Sequence, residues 1–130
     1  MSIEKKIFSL LGICMLLTML VSACRIIDSN NIPQNPKVEM GATNFLKPTI
    51  TIKKGNSLDL IDSVASQHII INGKWDGSQQ VKTQEPGAPS VNFTVNASGE
   101  AHTVGPFNTA GNFNIYCTIH PGMNLTVTVQ

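Results

Sequence analysis

The C-terminal part of the chain consists of short segments in which apolar and polar residues alternate. In Leu125–Val129 the odd positions are apolar and the even positions are threonines, and Thr49–Ile52 and Asn92–Val95 repeat this period of two. Since successive side chains of a β-strand point to opposite faces, the period predicts strands with one buried face. No segment of residues 40–130 carries a sustained helical period, so this region is expected to be all-β.

Turn signals separate these segments. They include Asn-Gly at 72–73, Asp-Gly at 76–77 and Ser-Gly at 98–99. About seven to eight short strands with such turns are typical of a β-sandwich or barrel. The polar stretch Gly73–Ser90, which contains Pro86 and Pro89, is predicted to be a long loop. Strands are predicted at Thr43–Leu46, Thr49–Lys53, Ser57–Ile61, His68–Ile71, Val91–Val95, Ala101–Val104, Asn112–Cys117 and Leu125–Val129.

Residues 1–23 have the pattern of an export signal. Lys5 and Lys6 precede the apolar run 7–21, and small residues lead into Cys24. The segment resembles a bacterial lipoprotein signal, which implies cleavage before Cys24, a diacylglycerol on its sulfur and export to the outer face of a cell membrane. An uncleaved transmembrane anchor is the alternative. It is disfavoured because the run is shorter than the roughly 20 residues that a spanning helix needs.

A tether is predicted to follow the signal. Residues 24–39, the lipidated N-terminus, are polar and contain Pro33 and Pro36, which is typical of a flexible linker. The domain is then expected to span residues 40–130, a length that suits a single domain. The formal net charge is +1, and loss of residues 1–23 would leave the chain near neutral. Without a basic stripe, nucleic acid is not an expected partner.

Only one cysteine remains once the signal and the lipid are accounted for. Cys14 lies inside the predicted signal and Cys24 is expected to carry lipid, so Cys117 is the single thiol of an exported domain. In an oxidising compartment such a thiol has no partner for an internal disulfide. Cys117 is therefore either a buried, inert thiol or a metal-bound thiolate.

The residues after Cys117 favour the metal-bound thiolate. His120 follows three positions later and Met123 six positions later, with the turn residues Pro121 and Gly122 between them. Thiolate, imidazole and thioether together suit copper, whereas zinc has little use for a thioether. Two histidines and one cysteine with a weak axial methionine are the blue-copper arrangement. One histidine must therefore come from elsewhere in the chain.

Two histidines are candidates for the missing ligand. His68 follows the polar stretch 62–67 and opens the apolar run 69–71, so it lies at a junction of loop and strand where it can face a site at the rim of a sheet. His102 lies within a predicted strand with no turn signal beside it, and is interpreted as a partly exposed strand residue. We therefore predict that His68 is the ligand.

From about Val38 to Gln130 the chain resembles the cupredoxins of the plastocyanin/azurin type. The resemblance rests on the turn at Gly55, on His68 after a loop, and on the segment AGNFNIYCTIHPGM at 110–123 before a final strand. The Cys-x2-His-x2-Met spacing is most similar to that of amicyanin. The resemblance implies a Greek-key β-sandwich or barrel with one type 1 copper per chain. Its equatorial ligands would be His68, Cys117 and His120, and its axial ligand Met123.

The resemblance also implies what surrounds the copper. Asp62 and Ser63 are the predicted layer outside the ligands, with Asp62 in place of an asparagine that would brace the cysteine loop. Electrons would enter at His120, which Pro121 and Gly122 leave open to a partner. The implied function is to carry single electrons between redox proteins, such as a cytochrome, an oxidase or another electron carrier. The protein is expected to be a monomer attached to the membrane by its lipid.

Three other functions fit the sequence less well. A copper carrier or sensor, the main alternative, would use similar ligands, but carriers have open Met-rich or paired-Cys sites and this domain has only Met40, Met123 and one cysteine. An enzyme is not expected, because four protein ligands leave copper no open position for a substrate. An adhesion module with an Ig-like sandwich would leave the pattern at Cys117–Met123 as coincidence.

Overall fold

The computed structural model describes residues 34–130. These residues form β-strands and no helix, which confirms the all-β prediction. The described range accordingly contains no helical segment able to span a membrane. The strands are β1 (Lys37–Met40), β2 (Thr49–Ile52), β3 (Leu58–Asp62), β4 (His68–Asn72), β5 (Lys74–Asp76), β6 (Gln79–Val81), β7 (Asn92–Val95), β8 (Ala101–Val104), β9 (Gly111–Cys117) and β10 (Asn124–Val129).

The strands form two main sheets and one hairpin. One sheet has the order β1-β3-β8 and the other the order β2-β10-β9-β4-β7, while β5 and β6 pair only with each other. The pairs β1–β3 and β2–β10 are parallel and the other pairs are antiparallel. In the five-stranded sheet, β9 and β4 are neighbours, and these are the two strands that carry Cys117 and His68.

A single hydrophobic core lies between the two sheets. Leu58 and Leu60 of the smaller sheet and Leu125 and Val127 of the larger sheet are all fully buried and belong to one cluster. Their neighbours along each strand are more exposed, as the period of two predicted. Burial of each such side chain stabilises the fold by about 1.5–3 kcal/mol.

The predicted strand Thr43–Leu46 is wrong. Its contact with β1 is limited to an isolated bridge between Phe45 and Met40 and a hydrogen bond from the N–H of Leu46 to the carbonyl of Glu39 at 2.9 Å. The backbone N–H of Gly41 donates to the carbonyl of Asn44 at 2.8 Å, and that turn folds the chain back on β1. The segment therefore forms a turn, although its residue types favour a strand.

The predicted loop Gly73–Ser90 contains the hairpin β5–β6. Its register places Trp75 opposite Gln80, and the turn is made at Gly77, whose φ of +57° lies in the left-handed region that favours glycine. The side chains of the hairpin are exposed or half-buried. Without a buried face, these strands carry no apolar alternation, so the sequence pattern did not reveal them.

The folded domain begins before the predicted boundary at residue 40. Strand β1 pairs with β3 over its whole length, and Val38 and Met40 are buried in the core. Residues 37–39 therefore belong to the sandwich and not to the predicted tether 24–39. The predicted signal 1–23 and the lipidation site Cys24 lie outside the described residues.

Candidate metal centre

The ends of two neighbouring strands position the first two site residues. His68 is the first residue of β4, Cys117 is the last residue of β9, and Ile70 lies opposite Cys117 in the antiparallel register. Opposite residues share a face of the sheet, as do residues two apart in one strand. The side chains of His68, Ile70 and Cys117 therefore all point into the sandwich, where each is 0% exposed.

The segment after Cys117 forms a compact loop that returns His120 to the same place. The N–H of Cys117 donates to the carbonyl of Met123 at 3.1 Å, and the N–H of Met123 donates to the carbonyl of His120 at 3.1 Å. Gly122 has a φ of +78°, which a residue with a side chain adopts only at a cost. Pro121-Gly122 therefore allows the tight turn that the sequence predicted.

Three donor atoms from distant parts of the chain converge. Nδ1 of His120 lies 3.4 Å from Sγ of Cys117 and 3.2 Å from Nδ1 of His68, and the three ligand atoms all lie within 4.8 Å of one another. Atoms bound to one metal ion at about 2.0–2.3 Å are themselves about 3–4 Å apart. The two imidazoles and the thiolate are thus arranged to fit a single metal ion.

Met123 completes the site from the loop. Its side chain is buried, with 1% exposure, at the point where the loop enters β10. Its backbone binds both Cys117 and His120, so its position is coupled to theirs. A thiolate, two imidazoles and a thioether select copper over the harder metals, because soft sulfur ligands favour it.

The family of copper-binding proteins that includes plastocyanin and azurin matches residues 34–130. The chain belongs to this family. His68, Cys117, His120 and Met123 form its cupredoxin-type site for a single type 1 copper. The predicted copper cofactor is thereby confirmed.

Solved amicyanin structures share the fold. Amicyanin from Paracoccus versutus is 21% identical, with a TM-score of 0.57 over 78% of this chain and 87% of that chain. A methionine-to-alanine variant of amicyanin in the Cu(I) form is 16% identical, with a TM-score of 0.55 over 78% of this chain and 88% of that chain. No curated protein matches the chain. The structural likeness confirms the cupredoxin fold that the resemblance implied.

Burial keeps the first histidine of this cupredoxin ready for a metal. Burial, and then the neighbouring His120, lower the pKa of His68 below its ordinary value, while the charge of Asp62 and the backbone of Gly41 act in the opposite direction. A lowered pKa keeps the imidazole neutral near pH 7. A neutral imidazole has one ring nitrogen with a free lone pair, which can bind copper without first losing a proton.

His102 lies apart from this group. It is in β8 of the smaller sheet, its side chain is 39% exposed, and its Nε2 lies 3.5 Å from an oxygen of Glu100. Its ring stacks on Phe93 with centroids 4.3 Å apart. The cupredoxin fold therefore brings His68, and not His102, to Cys117 and His120.

The predicted outer layer, Asp62 and Ser63, makes its contacts elsewhere. Asp62 is fully buried, and its Oδ1 accepts the N–H of Val64 at 3.0 Å while its Oδ2 has no hydrogen-bond partner. The hydroxyl of Ser63 donates to Glu39 at 3.3 Å. Neither of these contacts involves the cysteine loop. Asp62 affects the site through its charge, which acts on His68.

The loop is held instead by residues that the sequence did not single out. The N–H of Thr118 donates to the carbonyl of Ile69 at 2.9 Å and so continues the pairing of β9 with β4. Trp75 and Gln80 of the hairpin donate to the carbonyls of Cys117 and Thr118. The one available signal was that Trp75, the only tryptophan of the chain, stands in an otherwise polar stretch.

Proposed function

We propose that this cupredoxin carries single electrons between redox proteins on the outer face of a cell membrane. The observation that carries the proposal is the convergence of His68, Cys117 and His120 on one point. When bound there, copper supplies a one-electron couple between Cu(II) and Cu(I). The residues supply ligand positions that are set by two neighbouring strands and a closed loop, so little rearrangement accompanies the exchange of an electron.

The burial of the ligands supports electron transfer over the carriage of copper. His68, Cys117 and Met123 are at most 1% exposed, and only His120 is partly open to solvent. A carrier or sensor must exchange its metal readily, which requires ligands that a chelator or partner can reach. Four protein ligands would leave copper no open position for a substrate, so we do not propose an enzyme.

The partly exposed His120 supports the proposed point of electron entry. Its neighbours Pro121 and Gly122 are exposed, and the apolar side chain of Ile119 is 40% exposed. Exposed apolar groups around a partly buried ligand suit a small and brief contact with a redox partner. A cytochrome, an oxidase or another electron carrier would dock at this surface.

The spectrum of the copper-loaded protein tests the proposal. The oxidised protein is expected to be intensely blue or green and to undergo reversible one-electron reduction, and Cys117→Ser is expected to abolish the colour. A protein that remains colourless and free of copper after loading would refute the assignment. Rapid loss of copper to a weak chelator would favour the carrier or sensor, and turnover of oxygen or nitrite would favour an enzyme.

Membrane attachment through Cys24 is the second part of the proposal. It is supported by the signal-like residues 1–23 and by the polar stretch that follows them. Two or more acyl chains anchor a protein stably, whereas a single chain is marginal. Labelling with a tagged fatty acid is expected to mark the wild-type chain and not Cys24→Ala. Equal labelling of the two, or no label on either, would reject lipidation at this residue.

A further inference from the structure

The hairpin β5–β6 donates hydrogen bonds to two consecutive carbonyl groups where β9 ends and the loop after Cys117 begins. The indole Nε1–H of Trp75 donates to the carbonyl of Cys117 at 2.7 Å. The amide Nε2–H of Gln80, which lies opposite Trp75 in the hairpin, donates to the carbonyl of Thr118 at 3.0 Å. The hairpin thus holds the backbone of a copper ligand and of the residue that follows it.

The hairpin is itself attached to the strands on both sides of the loop. Asn124 accepts the N–H of Trp75 at 2.7 Å and donates to the carbonyl of Trp75 at 3.0 Å. The hydroxyl of Tyr116 donates to Gln80 at 3.2 Å, and its ring meets the indole edge-on with centroids 6.1 Å apart. Asn124 and Tyr116 lie opposite each other in β10 and β9, so the hairpin spans the base of the loop.

The connection from β4 to β5 packs closely against the hairpin. Gly73 joins β4 to β5 with a φ of +117°. A Cβ at this position would overlap the carbonyl oxygen of Val81 and lie 3.1 Å from the ring of Tyr116. Gly73 is therefore packed between the hairpin and Tyr116 of β9, the strand that carries Cys117.

We propose that the hairpin β5–β6 is a clamp that holds the Cys117–His120 segment in its metal-binding geometry, with Trp75 as the positioning residue. Hydrogen bonds to the carbonyls of Cys117 and Thr118 fix the two peptide planes that follow the thiolate. The clamp limits opening of the loop in the metal-free chain. Its role in electron exchange, which is to keep the ligands in place, rests on the proposed function.

Alkylation of Cys117 in the metal-free full chain tests the clamp without copper. Trp75→Phe keeps an aromatic ring but removes the indole N–H. Iodoacetamide is expected to modify the peptide that contains Cys117 about five- to tenfold faster in this variant, the factor that corresponds to loss of one hydrogen bond. Rates equal to those of the wild type, in a variant with the same circular dichroism spectrum, would overturn the proposal.

A matched control separates clamping from general loosening. Thr128→Val removes a hydroxyl that donates to Asn112 at 2.9 Å between β10 and β9, at the end of these strands away from the loop. Its alkylation rate is expected to stay at the wild-type value, and an increase as large as that of Trp75→Phe would overturn the proposal. Should Trp75→Phe not fold, Gln80→Leu takes its place with the same expected and contrary results.

The copper-loaded protein supplies a second readout. The absorption band of the thiolate–copper bond is expected to be shifted or broadened in Trp75→Phe, and unchanged in Thr128→Val. If the wild type binds copper and the band is the same in all three proteins, the clamp proposal fails while the proposed function stands. If the wild type binds no copper, the proposed function fails and the alkylation rates alone decide on the clamp.

Discussion

The Nδ1 atoms of His68 and His120 lie 3.2 Å apart although the two residues are 52 positions apart in the chain. The sulfur of Cys117 lies 3.4 Å from Nδ1 of His120. These distances match those between atoms that bind the same metal ion. The rings meet at 65° with centroids 5.0 Å apart, so they are not stacked. The fold thus gathers ligand atoms from distant parts of the chain within 4.8 Å of one another.

The first prediction concerns the distant ligand. His68→Gly is expected to abolish the blue absorption, because the site then loses one of its two imidazoles, whereas His102→Gly is expected to leave the spectrum unchanged. Absorption spectra of the copper-loaded variants provide the measurement. Loss of colour in His102→Gly, with colour retained in His68→Gly, would contradict the ligand assignment.

The second prediction concerns pH. The pKa of His68 is lowered in the fold from its ordinary value of about 6.5, so below that pH this residue binds more protons in the unfolded chain than in the folded chain. The unfolding free energy of the metal-free protein is therefore expected to fall as the pH drops below about 6.5. One proton contributes at most about 1.4 kcal/mol per pH unit.

Urea unfolding at a series of pH values checks this effect, with His68→Gln as the comparison. The variant lacks the titrating ring, so its stability is expected to depend less on pH over the same range. Thr128→Val, which removes a hydroxyl and no titratable group, is expected to keep the wild-type dependence. Identical pH profiles for the wild type and His68→Gln would show that the burial of His68 is not the cause.

The third prediction concerns docking beside His120. Ile119→Lys adds a charge to the apolar loop surface, and two such molecules that meet loop to loop would repel each other. Electron self-exchange, measured by NMR line broadening, is expected to slow by about tenfold or more, corresponding to about 1.4 kcal/mol. Added salt is expected to restore part of the rate, because it screens the repulsion.

Thr51→Lys provides the matched control for docking. It adds the same charge to the exposed face of β2, at the end of the sheet away from the loop. This variant is expected to exchange electrons at about the wild-type rate. A slowing equal to that of Ile119→Lys would indicate an effect of net charge and would argue against docking at the loop.

The fourth prediction concerns the core. Leu60→Ala removes a fully buried side chain of β3 and is expected to lower the unfolding free energy of the metal-free chain by about 2–5 kcal/mol. Leu46→Ala, at a position that is 56% exposed, is expected to change it by about 0.5 kcal/mol or less. The midpoints of urea unfolding provide the measurement, provided that the dependence of the unfolding free energy on urea concentration is the same in all variants. Similar losses in both variants would contradict the core described for the sandwich.

Strands with one buried face were predictable because the signal is local. Ala101–Val104 has the same bounds in prediction and structure, and Asn112–Cys117 differs only by the added Gly111. Alternation failed in two places for different reasons. In the hairpin β5–β6 both faces are largely exposed, and at Thr43–Leu46 the turn at Gly41 overrides strand propensity.

The sequence by itself determined the local half of the copper site. Cys117, His120 and Met123 stand within seven residues, so their spacing and the turn at Pro121-Gly122 keep them near one another. The pairing of β4 with β9, which places His68 beside Cys117, was decided by the tertiary structure.

The contacts that hold the loop were also decided only by the tertiary structure. Trp75 reaches the carbonyl of Cys117 across 42 positions of sequence, through a hairpin whose strands are exposed and polar. Such contacts depend on how strands pair and which chain segment covers them. Residue types alone do not encode that pairing locally, because hydrogen bonds between distant segments form only once the sheets have assembled.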